Sequence, residues 1–381
     1  MILIKNALLV SAAEINYELR DILIEDGKIK KIAKEISEDC ETIDALGKMV
    51  TPGLMDPHCH IGLWEEGIGF EGSDGNEMTD PSTPHMRAID AIYPLDEAFD
   101  GAIQNGVTSV AAGPGSANVI GGTFTVIKTF GDNVQDMIVK EEIAMKMALG
   151  ENPKRVYNGK NVTPSTRMGS AAIMRAELRK AKDYYEKMKN AKEDKDKPSF
   201  DPKLDSLSRI FDGMIVKIHA HRTDDIQTAI RVGKEFNLNY TIEHATESHL
   251  MVDDLLKDNV KVIIGPTWGN KSKYELRNKS WLTAGVLEKA GVEFAIMTDA
   301  PVIPISETRI QTGLMIREGL SELGAIKAMT INAAKLNGVD DRLGSIEEGK
   351  DADIVIWGGN PFEIMTKPDY VFIDGVIRHK K

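Results

Sequence analysis

Five of the eight histidines in this chain, His58, His60, His219, His221 and His244, stand where runs of β-branched and apolar residues end. Neutral imidazoles bind divalent metals and move protons near neutral pH, so several of them at strand ends point to metal chemistry. A single histidine so placed is more often a packing residue; five together reverse the odds. His58-Cys59-His60 sets two imidazoles on one side of a strand, with Cys59 on the other. Met214–Arg222 repeats the relation with His219 and His221, and Tyr240–Glu247 carries His244. Asp299 ends the run Ala295–Pro301, where an aspartate could equally cap a helix.

The elements that must position these residues alternate along the middle of the chain. Strands are predicted at Gly53–His60, Val107–Ala112, Met145–Gly150, Met214–His219, Tyr240–His244, Val260–Ile264 and Val292–Thr298, with Thr123–Thr129 as an eighth. Helices are predicted at Thr166–Lys192, Asp224–Phe236, Glu247–Lys257, Trp281–Ala290, Ser306–Leu320 and Glu322–Leu336. That order is the pattern of βαβ units, and it predicts an α/β fold of the (β/α)₈ TIM-barrel type over residues 51–342. Residues 1–50 and 343–381 read as short strands and hairpins, around Asp26-Gly27 and Asp374-Gly375, and predict one small β-domain formed by both termini. In such a barrel the catalytic face lies at the C-terminal strand ends, where the histidines are. Residues 62–84, rich in Gly, Asp and Glu, directly follow His60 and are expected to cover the site.

Composition limits the partners. The net charge of −12 argues against nucleic acid or an anionic membrane, and leaves a small-molecule substrate. Two cysteines are too few for a disulfide framework, and the apolar start Met1–Val10, interrupted by Lys5, reads as a strand and not a signal peptide. A cytoplasmic protein is the expectation. A homo-oligomer is compatible with it.

With Val50-Thr51-Pro52-Gly53-Leu54-Met55-Asp56-Pro57 ahead of His58-Cys59-His60, the sequence resembles the amidohydrolase superfamily, whose first barrel strand carries P-G-hydrophobic-hydrophobic-D-x-H-x-H. Gly344–Val355 resembles that superfamily's return into its β-domain, and the likeness is nearest the imidazolonepropionase-like branch. The resemblance implies metal ligands at His58, His60, His219 and His244. It makes Asp299 both a ligand and the catalytic proton shuttle.

A bridging ligand between two metals has two candidates. Alternation in Met145–Gly150 points Lys146 into the barrel beside small residues, and many amidohydrolases carboxylate such a lysine. Others use a glutamate, which makes Glu151 the rival. His221 either touches substrate or is hydrogen-bonded in its loop. Arg222 either grips a substrate carboxylate or pairs with Asp224 or Asp225, the pairing being favoured.

Nitrogen, carboxylate and water ligands suit one or two divalent ions, Zn²⁺ best, with Fe²⁺ or Mn²⁺ as alternatives. The expected activity is hydrolysis of a C–N bond in an amide, lactam, dipeptide or related cyclic amide by a metal-activated hydroxide. A deaminase on the same barrel is the first alternative, and a non-catalytic amidohydrolase-like scaffold the second. Imidazolonepropionase itself is disfavoured, because Ala220-His221-Arg222 stands where its relatives carry an acidic residue.

Overall fold

Turn chemistry sets the outer sheet. Asp26-Gly27 and Asp374-Gly375 each place two successive residues in the left-handed region, with φ of 48° and 76°, and 48° and 72°. That is the geometry of a two-residue hairpin whose twist matches its strands. The computed structural model describes residues 1–10, 15–66 and 69–381, without the side chains of 15–17. The outer sheet takes β1 (Ile2–Val10), β2 (Ile15–Glu25), β3 (Lys28–Ala33), β4 (Glu41–Asp44) and β5 (Met49–Pro52) from the start of the chain. From the end it takes strands Ile354–Trp357, Pro368–Ile373 and Val376–Lys380. Ile354–Trp357 joins the two groups by pairing antiparallel with β5. Ile4, Ile22, Ile24, Val50, Ile354, Ile356 and Phe372 form its core.

The second sheet is the barrel. Its strands are β6 (Leu54–Cys59), β7 (Val107–Ala112), β8 (Ile120–Lys128), β9 (Ile138–Ala148), β10 (Ile215–Ala220), β11 (Tyr240–His244), β12 (Lys261–Ile264) and β13 (Phe294–Ile296), paired in that order. Each overlaps one of the eight predicted runs, β9 starting seven residues earlier than predicted, at Ile138 and not at Met145. The architecture is thus α/β, a nearly closed eight-stranded barrel with a separate sheet of terminal strands.

Two features depart from an ideal (β/α)₈ barrel. β8 runs antiparallel to both β7 and β9, whereas the remaining pairs are parallel. The connection 113–119 contains Gly113-Pro114-Gly115 and is shorter than the dozen or so residues a helical crossover needs, so the chain turns straight back. Among the described residues no ladder joins β13 to β6. That seam is bridged instead by His60 N donating to Ala300 O at 2.8 Å.

Helices pack outside the barrel. Arg167–Asn190 starts at Thr166, whose hydroxyl accepts from Gly169 N, and buries Ser170, Ala171, Met174, Leu178 and Ala181 at helical spacing. Removing the fully buried Leu178 side chain as Leu178→Ala would cost about 2–5 kcal/mol. The run Glu322–Leu336, read above as one helix, is two, Glu322–Ala328 and Ile331–Leu336, because Thr330 sits at φ −134°, ψ −97°. Among the described residues no helix is long and apolar enough to cross a membrane.

The two sheets are tied by a buried ion cluster. Lys128 on β8 reaches both oxygens of Asp353 at 2.8 Å, Asp351 at 3.1 Å and Asp374 at 3.0 Å. Arg342 and Lys28 also pair with Asp351.

Candidate active site

At the end of β6, Asp56 does positioning work with both oxygens. One accepts from His58 N at 3.0 Å; the other accepts from the backbone N and the hydroxyl of Thr298. The carboxylate therefore staples β6 to the segment carrying Asp299, across the unladdered seam. Burial pushes its pKa up to about 7, opposed by the hydrogen bonds from Thr298 and His58.

The imidazoles converge above it. His58 and His60 lie in a T-shaped pair with ring centres 5.3 Å apart. Asp299 Oδ1 is 3.0 Å from His60 Nε2 and 3.7 Å from His58 Nε2. The second nitrogen of each ring is committed: His60 Nδ1 to Gly113 O at 2.6 Å, and His58 Nδ1 to Glu243 Oε2. Gly113 must be glycine here, since a Cβ would stand 2.2 Å from Phe124 Cγ. Burial would raise the Asp299 pKa, but the electrostatic attraction of the His244 ring, the hydrogen bond to His60 and the nearby Lys146 hold it at about 2. Asp299 is therefore an ionised acceptor at the centre of the group.

Lys146 points into the barrel, as alternation in its strand requires. It is fully buried, with Nζ 3.0 Å from His58 Nε2 and over the Phe124 ring at 5.5 Å. Burial lowers its pKa to about 8, partly offset by Asp299 and Glu243. A second buried lysine, Lys217, donates to Pro57 O at 3.1 Å and lies 3.6 Å from Glu243 Oε2.

β10 and β11 supply the rest. His219, His221 and His244 have ring centres 4.3–4.7 Å apart. His244 Nδ1 is bonded to Gly265 O at 2.8 Å and His221 Nδ1 to Thr246 Oγ1 at 2.7 Å. Neither nitrogen of His219 has a partner. Burial holds the pKa values of His58, His219 and His221 well below the usual range and lowers His244 to about 4, so the rings are neutral. Lone pairs on buried, neutral, unpartnered imidazoles, facing an ionised aspartate, fit a divalent cation. Two groups are close enough to hold one: His58, His244 and Asp299, and His219, His221 and His244.

These groups form the base of a cavity of about 710 Å³. Trp64, Met78, Val156, Trp268, Leu276 and Val302 contribute apolar wall. Trp64 packs edge-on against His60, with ring centres 4.8 Å apart. From the segment expected to cover the site, Trp64, Asn76 and Met78 line the cavity; Gly67 and Ile68 lie outside the described residues.

Two sequence candidates stand elsewhere. β9 ends at Ala148, and Glu151 opens the helix Glu151–Asn158, its side chain lining a separate surface cavity with Lys154, Arg155, Arg167 and Arg222. The structure does not bring it to the histidines, because Gly150 at φ 81° turns the chain off the strand line first. Arg222 lines that outer cavity too. Its guanidinium holds both oxygens of Asp224 at 3.0 and 2.9 Å, the pairing favoured above, and it does not line the histidine cavity.

Sequence reasoning also passed over Glu243, Lys217, Phe124 and Glu275. Glu243 neighbours His244 and should face the opposite way by alternation. Both face inward, because Glu243 keeps the face of Thr241 and of its register partner His219, while His244, at φ 70°, departs from alternation. The only sequence signal for Lys217 was a charged residue two before His219, on the same strand face.

The amidohydrolase family's sequence model matches residues 49–378. This chain belongs to the amidohydrolase family. Over the full length of both chains this amidohydrolase is similar to a solved amidohydrolase from Thermotoga maritima MSB8, at 42% identity and a TM-score of 0.96. It is 29% identical over 398 residues to the amidohydrolase tasK of Hapsidospora irregularis, covering 94% of this chain and 39% of that protein. The chain thus spans about two fifths of the length of that relative. Imidazolonepropionase of Thermoplasma volcanium is a weaker relative, 25% identical over 363 residues, 88% of this chain and 83% of that one.

Proposed function

We propose that this amidohydrolase is a metal-dependent enzyme that hydrolyses a C–N bond of an amide, a dipeptide or a cyclic amide. One observation carries the reading: Asp299 Oδ1, ionised, lies within 4 Å of both His58 and His60 at the floor of the cavity. A bound divalent ion, Zn²⁺ first with Fe²⁺ or Mn²⁺ as alternatives, would polarise the substrate carbonyl and acidify the attacking water.

The chain's own groups account for the rest. His58, His60, His219 and His244 present imidazole nitrogens, and Lys146, as a carbamate, would bridge two ions. Asp299 takes the proton of the attacking water and passes it to the departing nitrogen, which otherwise leaves as a strongly basic amide anion. The apolar wall excludes bulk water and accepts apolar substituents on either side of the scissile bond. The cavity volume suits a dipeptide or an N-acyl amino acid, and the relatives' names are those of amide-acting hydrolases.

The test is a screen of N-acyl amino acids, dipeptides and cyclic ureides against metal-reconstituted protein, following the appearance of new amine. Asp299→Asn serves as the blank. Ammonia released from an exocyclic amine, without ring or chain cleavage, would move the chain to the deaminase reading. A fully metallated protein that turns over neither class would leave the scaffold reading.

A further inference from the structure

The second cluster of imidazoles holds one nitrogen more than the family resemblance assigns to it. Three buried imidazole nitrogens have no hydrogen-bond partner there: Nδ1 and Nε2 of His219 and Nε2 of His221. Unpaired buried polar atoms are costly and rare, and three in one place call for an occupant. A neutral imidazole carries one lone pair with which to bind a cation. His221 Nδ1 is spent on Thr246 and His244 Nδ1 on Gly265 O, which leaves both Nε2 atoms directed at the same space as His219. Behind them Glu275, fully buried, stands 3.5 Å from His221 Nε2 and 3.9 Å from His219 Nε2. Its Oε2 accepts from Glu151 N at 2.9 Å, and Lys273 Nζ lies 2.7 Å from Oε1. The carboxylate is thus held in place by Glu151, after β9, and by Lys273 in its own loop after β12.

We propose that His221 is a third protein ligand, through Nε2, to the divalent cation held by His219 and His244, with Glu275 as the fixed carboxylate that balances its charge. This rests on the metal-dependent reading above and extends it. The ligand atoms of the three rings lie within 4.8 Å of one another. Ligands about 2.1 Å from a common ion sit roughly 3.4 Å apart in tetrahedral geometry, so loading draws the rings together by small side-chain rotations. With the Lys146 carbamate, three imidazoles would give that ion four protein ligands. The third imidazole also couples metal occupancy to the loop carrying Lys273 and Glu275, which forms part of the cavity wall.

The experiment is a crystal structure of the Zn²⁺-loaded wild-type protein with anomalous data at the zinc edge, paired with Co²⁺ titration of stripped wild type and His221→Asn. His221 Nε2 within about 2.3 Å of an anomalous peak shared with His219 and His244 supports the proposal. So does an at least tenfold loss of affinity for one of the ions in His221→Asn, with a change in the visible cobalt bands. A peak on His219 and His244 with His221 Nε2 beyond about 3 Å, hydrogen-bonded to Glu275, overturns it and leaves the hydrolase reading standing. So does a His221→Asn protein with unchanged affinity and spectrum. Absence of any metal at these histidines overturns both. Circular dichroism of His221→Asn separates ligand loss from unfolding, and the wild-type structure decides the matter if the variant does not fold.

Discussion

Glu243 Oε2 accepts a hydrogen bond from His58 Nδ1 at 2.5 Å, joining residues 185 positions apart at the bottom of the site. The bond settles the tautomer and ring plane of His58 and leaves Nε2 to face Lys146 and Asp299. Thr241 and Lys217 hold the carboxylate from its other sides. Glu243→Gln keeps the shape but removes the charge that makes the imidazole a better donor. Affinity for the first divalent ion should fall about 10–100-fold in a chelator-competition titration. Wild-type affinity in that variant would deny Glu243 its positioning role.

Lys146 and Glu151 can be told apart by metal content. Lys146→Ala should lower the ions bound per chain from two towards one. Glu151→Ala should leave the number unchanged, since that side chain lines a different cavity. With its pKa near 8, Lys146 is partly a neutral amine in mildly alkaline solution, the form that adds CO₂. Loading wild type with zinc in ¹³C-bicarbonate should therefore produce a carbamate resonance that is missing from Lys146→Ala. The reverse pattern of stoichiometry would make Glu151 the bridge.

Asp299→Asn is nearly isosteric. It should leave the fold intact by circular dichroism and cut turnover of the metallated protein by at least about 10²-fold, the worth of a positioned acid–base group. Because the Asp299 pKa lies at about 2, no acidic limb of the rate profile above about pH 4 should belong to it. Near-full activity of the metallated variant would exclude Asp299 from proton transfer.

The ion cluster between the sheets predicts a pH-dependent stability. Burial would raise the Asp351 pKa, but the charge of Lys128 and hydrogen bonds from Lys28 and Arg342 bring it from 3.8 to about 2. Between those pH values the unfolded chain holds the proton more often than the folded one, so stability rises with pH there. The contribution is complete above about pH 4 and is lost as pH falls towards 2. Asp351→Asn should melt below wild type at pH 7, and the gap should narrow steadily in melts at pH 4, 3 and 2.5. A constant gap would mean that the carboxylate charge is not what joins the sheets.

The sequence by itself determined the elements and the metal-site candidates, because both follow from local rules. Period-two alternation and turn residues marked eight barrel strands and two hairpins. A His-x-His pair, wherever its strand lies, presents both rings to one side, and Lys146 faced inward on the same argument. What only the tertiary structure decided depends on contacts between distant segments or on breaks in the local rule. Glu151 was taken for a strand tip because nothing local shows that Gly150 turns the chain into a helix. Glu243 was passed over because reading His244 as the inward residue assigns its neighbour outward, whereas it is His244, at φ 70°, that leaves the strand's alternation. The reversal of β8 likewise turns on a connection too short to cross. Thr246 gathers behind His221 from one loop and Lys273 and Glu275 from another, and loop paths depend on the whole packed barrel, which no stretch of residues encodes alone.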